Sequence, residues 1–174
     1  MRKQVLVIGY GNPGRLDDGL GPALVDEFER LDLENVTVDA EYQLAVEDAA
    51  EIAQYDVVVF ADASVRGGEP FEFSPVRPQR ELSFTTHSVA PHAVVALARD
   101  MFHAEPRAFT LAIRGYEFNE FGERLSERAR VNLREAVTFL ARLIREDRFE
   151  EWMDVGDADD AEQYVFTITQ ADLN

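Results

Sequence analysis

The chain contains no cysteine, which excludes a disulfide framework, a thiolate nucleophile and thiolate metal ligands. Basic residues are scarce: 17 Lys and Arg stand against 34 Asp and Glu, a formal charge of −17 that repels phosphate backbones and argues against nucleic-acid binding. No apolar run approaches the length of a membrane span, so no membrane partner is expected. Met1-Arg2-Lys3 passes almost directly into the strand-like "QVLVIGY", which is too short to serve as a signal peptide. The sequence also lacks an H-E-x-x-H pair, an internal repeat and a low-complexity linker. These absences point to a cytoplasmic protein built as one domain.

What remains is enough to fill a core, since 46% of the 174 residues are hydrophobic. Gln4 to Ile8 reads as a buried strand, and Leu20, Ala23, Leu24, Val25 and Phe28 recur at helical spacing between Gly19 and Leu31. Val36 to Asp39 alternates as a second strand, and Ala45 to Gln54 reads as a second helix. "DVVVFADAS" is the clearest central strand, Val57 to Phe60, ending at Ala61-Asp62. "FEFSPV" follows turn chemistry, and its Pro75 suits an edge strand. Pro91 to Phe102 reads as a helix with proline in its first turn, Ala108 to Ile113 as a strand, and Ser126 caps a long helix to about Arg145. Near the end "YVFTI" suggests one more short strand.

Alternating strands and helices predict an α/β fold, with a mostly parallel sheet between two helical layers. The domain is expected to span residues 1–147. Residues 148–174 form an acidic extension, read as a solvated tail rather than a metal-binding strip.

Sites in such sheets gather at the carboxyl ends of strands. There the first strand runs into Gly9-Tyr10-Gly11-Asn12-Pro13-Gly14, which meets the G-x-G-x-x-G spacing of a dinucleotide-binding turn, with Asp39 placed to meet a ribose. Asp17 and Asp18 oppose that reading, because carboxylates at the mouth of the turn repel a pyrophosphate. The chain also has little left over to bind a second substrate. Asp17 reads equally as a cap for the following helix, and Asn12 either stabilises its own turn or donates to a carbonyl oxygen. Asp18, Asp62 and His87 together make an oxygen, oxygen, nitrogen set suited to a borderline divalent cation. On a shared helix His92 falls about 140° away from His87, so His92 and His103 read first as surface or packing residues.

"GYGNPGRLDDGLGPALVDEF" resembles the N-terminal signature of the hydrogenase maturation proteases, the endopeptidases that trim the large subunit of nickel-iron hydrogenases. The likeness continues through "YQLAVEDAAEIAQYDVVVFADAS", "THSVAPHAVVALARDMF" and "AFTLAIRGYEFNEFGERLSERA", and covers roughly residues 4 to 145. It implies a three-layer α/β/α sandwich with a twisted sheet of about five strands. It also implies removal of a C-terminal extension from a hydrogenase large-subunit precursor after nickel insertion, the nickel being presented by the substrate. Carried onto this chain, the family's metal-contacting and catalytic groups fall on Asp18, Asp62 and His87. Many members carry an Asp-Gly-Gly turn after the second strand, where this chain reads Asp39-Ala40-Glu41-Tyr42-Gln43-Leu44. Two rivals stand beside the peptidase: a nickel-binding accessory protein that does not cut, and a small nucleotide-binding module.

Overall fold

The structure is a computed structural model, and it describes residues 1–79 and 89–154. Five strands form one sheet: β1 (Val5–Tyr10), β2 (Val36–Glu41), β3 (Val57–Ser64), β4 (Phe71–Pro75) and β5 (Arg107–Arg114). Among the described residues four α-helices accompany them: α1 (Leu20–Leu31), α2 (Asp48–Ile52), α3 (Pro91–Phe102) and α4 (Glu127–Glu146). The spatial order is β2-β1-β3-β5-β4, parallel throughout except for β4, which runs antiparallel to β5 at the edge. Pro75 closes that edge strand, where its missing N–H costs no central ladder bond.

The strict alternation of side chains along β1 and β3 divides the core in two. Val5, Val7, Val57, Val59 and Ala61 face one way, against α1 and α4. Leu6, Ile8, Val58 and Phe60 face the other, against α2 and α3. Each helix contributes the apolar stripe its spacing announces: Leu20, Leu24 and Phe28 from α1, and Leu133, Ala136, Leu140 and Ile144 from α4. The result is a three-layer α/β/α sandwich around a mostly parallel five-stranded sheet. No helix among the described residues is long and apolar enough to cross a membrane.

Ser126 caps α4 through its hydroxyl, which accepts from the Ala129 N–H at 3.2 Å, and Pro91 opens α3. Several boundaries differ from the sequence reading. α2 begins at Asp48 rather than Ala45, because the Asp48 carboxylate folds back to accept from the Ala45 N–H at 2.7 Å and holds the preceding residues in a turn. β3 continues past Asp62 to Ser64, paired with β5 as far as Arg114. Leu16–Gly19 form a 3-10 turn before α1. The expected "YVFTI" strand and most of the acidic extension lie outside the described residues.

Candidate active site at the carboxyl edge of the sheet

β1 ends in the glycine turn because α1 must press directly onto the sheet. A Cβ built at Gly9 would stand 2.1 Å from the Gly21 carbonyl oxygen, and one at Gly21 would stand 2.6 Å from the Ala61 carbonyl oxygen. Gly11 has a second reason to be glycine: its φ is +140°, and a Cβ there would lie 2.1 Å from the Asp18 carbonyl oxygen. The close approach seats the 3-10 turn, and with it Asp18, over the ends of β1 and β3.

The two adjacent aspartates do different work. Asp17 is fully buried, at 0% exposure, and it does not cap α1 as the sequence suggested. Its carboxylate instead accepts the Tyr116 N–H at 2.8 Å, the Glu117 N–H at 2.9 Å, the Ser126 N–H at 2.7 Å and the Ser126 hydroxyl at 2.7 Å. Burial alone would push its pKa up, but these donors more than compensate and hold the carboxyl below its usual range. Asp17 is therefore the staple that fixes the segment between β5 and α4. No spacing in the sequence revealed this, since its partners lie about a hundred residues away.

Asp18 is half-buried and accepts the Asn12 N–H at 2.9 Å, while the Asn12 side chain accepts the Gly14 N–H at 2.9 Å. Asn12 thus stabilises its own turn. The same contact weakens the dinucleotide reading, since a backbone donor that would have to cradle phosphate is already bound to a carboxylate.

Asp62 follows Val58 and Phe60 on the face of β3 that looks toward α2 and α3. Its carboxylate accepts the Ala63 N–H at 2.7 Å. Burial and the negative charge of Asp18 push its pKa up to about 6, against the opposing pull of the Ala63 N–H and the Tyr10 hydroxyl. The two carboxylates repel each other in a partly dehydrated place, an arrangement that a divalent cation would relieve. Tyr10 follows Leu6 and Ile8 on the same sheet face, and burial and the Asp62 charge raise its own pKa further above the usual tyrosine value. Sequence reading missed Tyr10, although the period-2 alternation from Leu6 would have placed it beside Asp62.

On the outer side, Ile8 pairs with Asp39 and Tyr10 with Glu41, so both acids share that face. Burial, then the charges of Asp48 and Asp39, push Glu41 up to about 7. Asp39 lies within β2 rather than closing it.

His87 lies outside the described residues. Two residues later, the Val89 N–H donates to the Leu44 carbonyl at 3.3 Å, at the carboxyl edge where α3 begins. His92 is half-buried in the first turn of α3. His103 caps the far end of α3 at the opposite edge of the sheet and takes no part in the site. Among the described residues no cluster of three or more His, Cys, Asp or Glu side chains is placed to hold a metal ion.

No protein-family model matches the sequence, and no curated protein matches it. Solved structures do match by shape. HycI, a NiFe hydrogenase maturation protease from Thermococcus kodakarensis, superposes with a TM-score of 0.62 at 22% identity, over 82% of this chain and 94% of that one. The hydrogenase maturating endopeptidase HybD from E. coli gives a TM-score of 0.63 at 21% identity, over 84% and 94%. A hydrogenase 2 maturation peptidase from a thaumarchaeon gives 0.60 at 23% identity, over 82% and 98%. The fold of this chain is the fold of those peptidases.

Proposed function

We propose that the protein is an endopeptidase that removes the C-terminal extension of a nickel-iron hydrogenase large-subunit precursor once nickel has been inserted. The observation that carries this reading is the meeting of Asp18 and Asp62 at the carboxyl edge of a sheet whose fold matches maturation peptidases.

In this reading Asp18, Asp62 and His87 engage nickel that the precursor already holds, which fixes the scissile bond against the glycine turn. The metal belongs to the substrate; the two described carboxylates offer it anionic oxygen donors, and His87 would add the imidazole nitrogen that suits nickel. A carboxylate of this pair acts as general base on the attacking water. Tyr10 holds the Asp62 carboxylate from the buried side. Gly11 lets the turn close tightly onto the Asp18 backbone, which seats that carboxylate at the edge. Without nickel the site has no handle on a peptide, which would keep so small a peptidase from attacking proteins at large.

The test is incubation of the purified protein with nickel-loaded and nickel-free precursor, read by intact mass. Loss of the C-terminal peptide from the loaded form alone supports the reading. Nickel binding with no cleavage of either form would replace it with the accessory-protein alternative, and a thermal shift with NAD or ATP would favour the nucleotide module.

A further inference from the structure

The outer edge of β4 leaves backbone donors without acceptors. The Val76 N–H donates to the Ala108 carbonyl at 2.8 Å, and the Arg114 N–H donates to the Pro70 carbonyl at 3.2 Å. Bonded residues alternate along an antiparallel pair, so Glu72 and Ser74 also turn their backbone groups toward β5, and Phe71 and Phe73 turn theirs outward. Among the described residues no group accepts from those two N–H donors. Yet Phe71 is only 2% exposed and Phe73 6%. Water therefore reaches little of this backbone, and a buried N–H is rarely left without an acceptor.

The course of the chain leads to the same place. After α4, Phe149–Trp152 form a 3-10 turn that runs outward across the sheet. The Phe149 ring lies 5.4 Å from that of Phe109 on β5, and the Trp152 ring lies 5.3 Å from that of Phe73 on β4 and 5.4 Å from that of Phe139. The described chain ends two residues later, at Asp154. The opposite edge, β2, is four strand spacings away, roughly 19 Å. Beyond Asp154 the acidic stretch 155–163 can span up to about 30 Å, and "YVFTI" follows at 164–168.

Every residue of "YVFTI" is β-branched or aromatic, the composition of a strand. Its alternation also matches the two sides of β4. Tyr164, Phe166 and Ile168 form one row, suited to the side where Phe71, Phe73, Phe139 and Trp152 pack together. Val165 and Thr167 form the other, suited to the side where the Ser74 hydroxyl meets the Thr110 hydroxyl at 3.0 Å.

We propose that residues 164–168 dock on the outer edge of β4 as a sixth strand, accepting from the Phe71 and Phe73 N–H groups and extending the aromatic cluster beside α4. The chain's own end then closes an edge that would otherwise invite pairing with another chain.

The experiment is solution NMR of the isotopically labelled full-length protein, with amide exchange measured for wild type and Phe166→Asp. The expected result is nuclear Overhauser contacts between the backbones of Phe71 or Phe73 and residues 164–168, with both phenylalanine amides exchanging about a hundredfold slower than in an unstructured chain. In Phe166→Asp those two amides should exchange about tenfold faster while the β1 amides keep their protection. The contacts are read in wild type, so an unstable variant leaves the test intact. Absence of the contacts would overturn the proposal. Slow Phe71 and Phe73 exchange without them, in a protein that sediments as a dimer, would also overturn it and give the edge to a second copy of the chain.

Discussion

Replacing Asp17 by alanine should be among the most damaging single changes in this chain, although Asp17 does not face the substrate. The carboxylate is fully buried and accepts four hydrogen bonds, three of them from backbone N–H groups. A hydrogen bond to a charged group is worth about 1.5–3 kcal/mol net, and an orphaned buried donor costs a similar amount. The four share one anchor and will not add in full, so a loss of about 4 kcal/mol is expected, a large part of a typical total of 5–15 kcal/mol. For a chain of this size that lowers the thermal midpoint by roughly 12 °C. Asp17→Asn keeps one acceptor oxygen and should lose about half as much. The pKa of Asp17 is lowered in the native state, so the unfolded chain takes up the proton first as pH falls. Its stabilisation is therefore complete above roughly pH 4 and is lost as pH drops through the lowered native value, so wild type and Asp17→Asn should converge in strong acid. Urea melts of the three proteins across pH provide the assay. An Asp17→Ala protein within ~1 kcal/mol of wild type at neutral pH would refute the reasoning.

Three further outcomes follow from the same geometry. Glu41→Gln should stabilise the protein at pH 8 by up to ~1 kcal/mol by removing a charge that burial, and then Asp48 and Asp39, disfavour. Between the ordinary glutamate value and about 7 the native state holds a proton the unfolded chain has released, so wild-type stability falls as pH rises through that window; thermal melts should show the gain vanish at pH 4. Gly11→Ala places a methyl 2.1 Å from the Asp18 carbonyl oxygen at an unfavourable φ, and processing should fall at least a hundredfold in a precursor mass assay, about 2.7 kcal/mol in transition-state terms. Tyr10→Phe removes a group that pulls the Asp62 pKa down, so the acid limb of the rate profile should move to higher pH while the fold persists.

Much of this was legible in the sequence wherever local physics decides. The continuous apolar runs of β1 and β3, the 3.6-residue stripe of α4 and the Ser126 cap depend on near neighbours, and they appear as read. The placement of Asp18 and Asp62 at one edge followed from the rule for parallel sheets. The true role of Asp17 was hidden because its partners, Tyr116, Glu117 and Ser126, reach it only through the tertiary fold. The short α2 is a competition between helix propensity and the Asp48 side chain, which a spacing count does not weigh. The raised pKa of Glu41 likewise comes from its burial in the fold and then from the charges of Asp48 and Asp39. His87 and "YVFTI" lie outside the described residues, and those readings stand as expectations.

The central claim is that Asp62 acts in the chemistry at this edge, and the most direct measurement is precursor processing by Asp62→Asn. The substitution nearly preserves volume and removes a repelled charge, so the protein should fold with at least wild-type stability. The account predicts that wild type converts nickel-loaded precursor to the shortened form by intact mass, whereas folded Asp62→Asn leaves it uncut. Conversion by Asp62→Asn at the wild-type rate would contradict the assignment of the site.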